Sequence, residues 1–179
     1  MAQATGSKMP NFTVIFTHGR ESGPWGTKIR ALAKVAEQVG CRVISRDDTD
    51  NRDPELRVVR LMDEVKSIDG PVVLVGSSMG GYVSLVASDE LEAHAIFLLA
   101  PALYIPNYKK QRYCSTHKHL EIVHGWSDEV IPVENSIRLA KEADCTLHLI
   151  KGDHRLNRSI ETVEDLFRQF LRRVLPDSS

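Results

Sequence analysis

This chain of 179 residues predicts an α/β fold: a three-layer α/β/α sandwich around a mostly parallel six-stranded sheet. Two observations carry that prediction. Short β-rich apolar runs alternate with stretches of helical period along the chain, with no internal repeat and no low-complexity segment, the pattern of βα units. Some runs, such as Ile96 to Leu99, are apolar at every position, as strands covered by helices on both faces must be.

Taken in order, residues 1–10 read as a loose lead-in. Phe12 to Thr17 is the first strand, cut off by His18-Gly19 and by Gly23-Pro24, which mark a loop. From Trp25 to Val39, apolar residues at Ile29, Leu32, Ala33 and Ala36 repeat with helical spacing, and Gly40 closes the helix. Cys41 to Ser45 is the second strand, leading into the acidic loop Asp47-Asp48-Thr49-Asp50. Pro54 suits a helix start, and Leu56, Val59 and Met62 give that helix an apolar face as far as Asp69-Gly70. Pro71 to Gly76 is the third strand and Met79 to Glu90 its helix. Ala95 to Ala100 is the fourth strand, ended by Pro101. The stretch from Ala102 to Lys118 has no clear period and reads as loop with at most one short helix. Leu120 to Val123 is the fifth strand, Pro132 opens a helix through Val133, Ile137 and Ala140, and Thr146 to Ile150 is the sixth strand. Ser159 is placed to N-cap a last helix with apolar positions Ile160, Val163, Phe167, Phe170, Leu171 and Val174.

Bulk properties narrow the class. Residues 1–179 are expected to form one domain with its core over about 12–175, a length sufficient to bury a sizeable core. Lys and Arg number 23 against 24 Asp and Glu, a net charge of −1, so no strong field draws the chain to nucleic acid or an anionic membrane. The first eleven residues lack the apolar segment of a signal peptide, and no apolar run approaches the roughly 20 residues of a membrane span. Cys41, Cys114 and Cys145 are widely spaced and odd in number, which argues against a disulfide framework and for a reducing compartment. A cytoplasmic protein is the expectation, monomeric or paired as a homodimer through an edge strand.

Chemistry concentrates in Gly76-Ser77-Ser78-Met79-Gly80, a G-x-S-x-G frame between an apolar strand and a helical pattern. The frame alone is a weak signal. Strand, tight turn and helix in succession is the context a nucleophile elbow needs, and the helix N-terminus behind Ser78 supplies unpaired N–H groups and a positive dipole end. Asp128 follows fifty residues later and His154 twenty-six beyond it, each directly after its own predicted strand, in the chain order Ser, acid, His. In a sheet of this kind those strand ends meet along one edge, where ligands bind. A hydroxyl must lose its proton to an imidazole that a carboxylate holds in the correct tautomer, and Ser78, His154 and Asp128 are the residues for those roles. The backbone N–H groups of Met79 and Arg20 are the candidate oxyanion donors. The constellation calls for no cofactor and no metal; its partner is a small-molecule acyl substrate.

Together, His18-Gly19, Gly76-Ser77-Ser78-Met79-Gly80-Gly81, His124-Gly125-Trp126-Ser127-Asp128 with Ile131-Pro132, and Gly152-Asp153-His154 resemble the α/β-hydrolase family from about Phe12 to Leu175, most closely its small lidless bacterial serine esterases. The resemblance implies a serine hydrolase that cleaves carboxylic esters through an acyl-enzyme. It differs in two respects: the family's first two antiparallel strands have no counterpart before Phe12, and the segment after Pro101 is too short for more than a small cap, which implies an open site and compact substrates. Thioester or amide cleavage uses the same parts, and a hydrolase-like binding module without turnover is the alternative of another class, although such modules usually lose a triad member.

Several residues have plainer readings. Asp153 is a rival acid, but sequence neighbours rarely face each other, so it is expected to cap or solvate. Asp128 could instead cap the helix near Pro132. His18, Tyr104 and Tyr108 are candidate substrate contacts; His18 can as well brace its loop, and the tyrosines, with Tyr113, can as well pack. His117 and His119 lack a third ligand cluster and read as solvated loop residues rather than a metal pair. Cys41 and Cys145 read as buried small hydrophobes.

Overall fold

The structure is a computed structural model and describes residues 11–113 and 117–176. The lead-in before Asn11, Cys114 and the last three residues lie outside them, and so does any counterpart of a strand before Phe12. Six strands, β1 (Thr13–Thr17), β2 (Arg42–Ser45), β3 (Val72–Ser77), β4 (Ala95–Leu99), β5 (Leu120–Gly125) and β6 (Thr146–Ile150), form one sheet in the order β2-β1-β3-β4-β5-β6. Every pairing is parallel, where the sequence predicts a mostly parallel sheet.

The apolar runs explain the layers. Successive strand residues point to opposite faces, so Val14, Phe16, Val73, Val75, Phe97 and Leu99 enter one core while Ile15, Leu74, Ile96, Leu98 and Ile122 enter the other. The first core is closed by α1 (Thr27–Gln38) and α5 (Ile160–Val174), with Phe167 and Phe170 packing 5.0 and 5.1 Å, ring to ring, from Phe97. The second is closed by α2 (Pro54–Lys66), α3 (Met79–Glu90) and α4 (Val133–Ala143). Truncating one such buried phenylalanine to Ala costs about 3–5 kcal/mol. Asp53 caps α2, accepting the N–H groups of Glu55 and Leu56 with Pro54 in the first turn. Ser159 precedes α5 but does not cap it; its hydroxyl donates to the Lys151 carbonyl, after a single 3₁₀ turn over Asn157–Ser159. No helix forms between Ala102 and Tyr113. Among the described residues no helix is long and apolar enough to cross a membrane.

Two features position the site. From β1 the chain moves outward to β2, then returns to β3 and runs the other way to β6, so the order reverses between β1 and β3, where open α/β sheets bind ligands. Register then sets Thr17 beside Gly76 and Ser77 beside Leu99, so the loops after β1, β3 and β4 leave the sheet side by side.

Candidate active site

Ser78, directly after β3, has φ 56° and ψ −120°, outside the usual regions for a residue with a Cβ. Its main chain is held on both sides: its N–H donates to Leu99 O at 3.0 Å, and its carbonyl accepts from Gly81 N–H at 2.9 Å and Ala102 N–H at 2.9 Å. The turn closes because Gly76 and Gly80 lack side chains. A Cβ on Gly76 would lie 2.2 Å from Gly80 O, and one on Gly80 would lie 2.1 Å from Thr17 O. Thr17 fixes the start of α3 from the other side, donating to Gly80 O at 2.8 Å and sharing a hydrogen bond with Ser84 at 2.7 Å.

The structure brings Ser78, His154 and Asp128 together from three strand ends. His154 Nε2 lies 3.1 Å from Ser78 Oγ, and His154 Nδ1 lies 2.7 Å from Asp128 Oδ2. Asp128 is fully buried on its side chain, His154 18% exposed. An Nδ1–H donated to the carboxylate leaves Nε2 free to accept the serine proton. Asp128 also serves its own loop, its Oδ1 accepting the N–H groups of Val130 and Ile131, each at 2.8 Å. Burial raises its pKa, but the Ile131 N–H, His154 and the Val130 N–H together outweigh burial and hold the carboxyl below its ordinary range. Asp153 points elsewhere and accepts the N–H groups of Arg155 and Leu156, each at 3.0 Å.

The sequence reading gave no role to a further residue in contact with Asp128. His124, completely buried, places Nε2 2.9 Å from Asp128 Oδ2 and 3.2 Å from Ile131 O, with Nδ1 2.7 Å from the buried hydroxyl of Ser136. Two acceptors at Nε2 put the proton there, so Nδ1 accepts from Ser136. Burial holds this imidazole below the usual histidine range against the pull of Asp128, which keeps it a neutral donor. His124 stands in the quoted His124-Gly125-Trp126-Ser127-Asp128 run, but only the position of Ser136 on α4 reveals its role.

The loop after β1 is held as firmly. His18 is 1% exposed and lies behind the cleft rather than in it. Asp48 N–H donates to its Nε2 at 3.0 Å, so the ring proton is on Nδ1, which donates to Gly19 O at 2.7 Å. Arg57, also 1% exposed, donates to the carbonyls of His18 at 3.1 Å, Gly19 at 3.4 Å, Asp48 at 2.9 Å and Asn51 at 2.6 Å. With the Gly19 carbonyl fixed toward Arg57, a trans peptide turns the Arg20 N–H the opposite way. A Cβ on Gly19 would lie 3.4 Å from Ser78 Cβ, which measures how closely this loop approaches Ser78. The Met79 N–H, at the first position of α3, has no intrahelical acceptor.

A cleft of about 730 Å³ opens over Ser78, lined among others by Arg20, Lys28, Met79, Tyr108, Val130 and His154. Of the tyrosines, Tyr108 lines it, while Tyr104 turns away, donating to Glu142 at 2.6 Å with the Arg138 guanidinium 3.9 Å above its ring. Tyr113 is buried and donates to Lys110 O at 3.0 Å. His117 meets Asp89 at 3.1 Å and Ser88 at 3.0 Å, and no group of three or more His, Cys, Asp or Glu among the described residues is arranged to hold a metal. Cys41 is buried and Cys145 half-buried, both as free thiols.

Comparison with known proteins agrees with this architecture. A family model described as Uncharacterised protein family (UPF0227) matches residues 13–177. A solved protein from Xanthomonas campestris pv. campestris, assigned to the α/β-hydrolase superfamily, is 30% identical, with a TM-score of 0.84 over 91% of this chain and 99% of its own. Est1E from Butyrivibrio proteoclasticus, solved with ferulic acid bound, is 18% identical, with a TM-score of 0.78 over 95% of this chain and 92% of its own. An α/β serine hydrolase without a lid from Xanthomonas campestris is 19% identical, with a TM-score of 0.74 over 98% of this chain and 87% of its own. Among curated proteins, none matches the chain in sequence.

Proposed function

The chain belongs to the UPF0227 family and to the α/β-hydrolase superfamily, and from that premise we propose that it is a serine hydrolase that cleaves compact carboxylic esters. The observation that carries this reading is the continuous chain of contacts from Asp128 through His154 to Ser78 on a strained turn, 2.7 and 3.1 Å. His154 Nε2 takes the Ser78 proton as Oγ attacks the ester carbonyl carbon. The oxyanion that forms is met by the N–H groups of Met79 and Arg20, each such donor being worth about 3 kcal/mol. His154 then returns the proton to the leaving alkoxide, the C–O bond breaks, and the acyl group remains on Ser78. A water molecule gives a proton to His154, attacks the acyl carbon, and releases the carboxylic acid as Ser78 regains its proton. Asp128 stays ionised throughout and favours the imidazolium that forms at each step.

His18 and Arg57 act in this scheme by fixing the Gly19–Arg20 peptide, not by touching substrate. The free thiols Cys41 and Cys145 support a reducing, cytoplasmic site of action. A fluorophosphonate probe tests the reading directly: the folded wild type is expected to become labelled and Ser78→Ala to remain unlabelled. No labelling of the wild type, or equal labelling of both, would falsify it.

A further inference from the structure

One part of the cleft wall is unusual in its charge. There α1 begins, behind Gly26, with no side-chain cap and no acidic residue in its first turn, and Gly26, Thr27 and Lys28 all line the cleft. Unpaired N–H groups and the positive end of the helix therefore border the substrate space. A lysine is disfavoured by that dipole, yet Lys28 is there and partly buried. Its ammonium donates to His154 O at 3.2 Å, which occupies one of three N–H groups.

The carboxylates that act on Lys28 through space are those of Asp128 and Asp153, and both are engaged elsewhere. Asp128 is held by His154, His124 and the N–H groups of Val130 and Ile131, and Asp153 by those of Arg155 and Leu156. Desolvation outweighs their attraction, Arg155 adds repulsion, and the ammonium pKa falls to about 8. Buried charges are ordinarily paired. Arg20 and Arg155 line the same cleft, Arg20 lying 3.8 Å from Glu21, a carboxylate it shares with Arg52. Three cations, Arg20, Lys28 and Arg155, against the one carboxylate of Glu21 in the lining stand out in a chain of net charge −1.

Resting on the hydrolase reading above, we propose that the cleft selects acyl substrates bearing a carboxylate, which Lys28 at the start of α1 holds beside His154, with Arg155 at the rim. The carboxylate can sit on the alcohol or the acyl half of the ester, and matched pairs separate the two. One pair is 3-carboxyphenyl butyrate against 3-carbamoylphenyl butyrate; the other is mono(4-nitrophenyl) glutarate against its neutral amide analogue.

In at least one pair, kcat/KM is expected to favour the carboxylate by about tenfold, the order of one partly buried ion pair. That ratio is expected to fall to near one in Lys28→Met, to persist in Lys28→Arg, and to be unchanged in Lys34→Met on the exposed face of the same helix. Lys28 is cationic below its pKa, so the preference is present at pH 7 and fades toward pH 9. Asp128, held below its ordinary range, stays ionised over that window; Asp153 and Arg155 are the other charged groups that act on Lys28, and any effect common to both esters cancels in the ratio. Equal rates within both pairs, from a wild type whose Ser78 takes the probe, would sink the carboxylate proposal and leave the hydrolase reading standing. A preference that survives Lys28→Met would overturn the assignment to Lys28. No turnover of any ester together with no labelling would remove both readings.

Discussion

Strands β5 and β6 carry two histidine–carboxylate pairs, one beyond their carboxyl ends and one within them. Beyond the ends, Asp128 meets His154 at 2.7 Å; within, Glu121 of β5 meets His148 of β6 at 2.9 Å. The two resemble each other closely: the carboxylate side chains are 0% and 9% exposed, the imidazoles 18% and 26%. What differs is the rest of each carboxylate's company. Glu121 is also gripped by the Arg173 guanidinium, a permanent cation. Asp128 accepts hydrogen bonds, besides that of His154, from neutral donors alone, the Val130 and Ile131 N–H groups and His124, and the Lys28 ammonium reaches it only through space. A carboxylate already neutralised by arginine has little left to offer an imidazolium. One fixed by neutral dipoles keeps its full charge for the moment His154 becomes cationic. Only His154, moreover, has a strained serine 3.1 Å from its far nitrogen. A histidine–carboxylate pair is thus not distinctive by itself, and the neutral cradle with the elbow is what suits one of them to the proposed reaction.

The largest effect that tests this contrast is at Asp128. Replacing it with Asn leaves the size and most hydrogen bonds intact but offers His154 a donor where it needs an acceptor, trapping the wrong tautomer. Ester turnover is expected to fall by about 10⁴ in kcat with the melting temperature changed by only a few degrees. Asp153→Asn, which alters a turn away from the contact chain, should keep wild-type turnover. Steady-state kinetics on both variants decides the matter, and the opposite pattern would move the acid to Asp153.

A smaller effect is expected at His124. In His124→Asn the carboxylate loses one neutral donor, so Asp128 becomes more basic and favours the His154 imidazolium more strongly in the resting enzyme. The acid limb of the kcat/KM profile should move to higher pH, and kcat should drop about tenfold, the equivalent of about 1.4 kcal/mol for a buried hydrogen bond to a charged group. A pH–rate profile that superimposes on the wild type would mean that His124 only fills space.

Much of this arrangement is legible in the sequence, and the exceptions share a cause. Strands buried on both faces read as continuous apolar runs, so β4, buried at every position, begins at Ala95 where the pattern says and ends one residue before Ala100, and α3 spans Met79 to Glu90 as its period predicts. The contact chain of Ser78, His154 and Asp128 is legible because each residue follows its own strand. His124, Arg57 and Lys28 are not, because nothing local distinguishes them. Arg57 and Lys28 occupy helix positions where a basic residue ordinarily faces solvent, and only the folded chain turns them toward the carbonyls of the β1 loop or toward His154. The stretch from Ala102 to Tyr113 lacks a period because it is held by other means. Tyr82 packs 4.6 Å from Tyr108 and accepts the Lys110 N–H at 3.1 Å, while Glu55 accepts the Lys109 N–H at 3.1 Å. Long-range anchors of this kind leave no spacing to read.

The smallest effect belongs to the other pair. Glu121→Gln keeps a group that can hydrogen-bond both His148 and Arg173 but removes the charge. Arg173 is 52% exposed, so the attraction is largely screened and the loss in stability is expected to stay at about 1 kcal/mol or less, shrinking further in high salt. Turnover should remain within about twofold of wild type, since no strained hydroxyl stands at His148 for that imidazole to deprotonate. The measurement is a pair of melting curves at low and high salt alongside a standard ester assay. A collapse of turnover with the fold intact would break the contrast, because a carboxylate compensated by arginine at the far end of β5 would then be acting on the reaction through the strand it shares with Asp128.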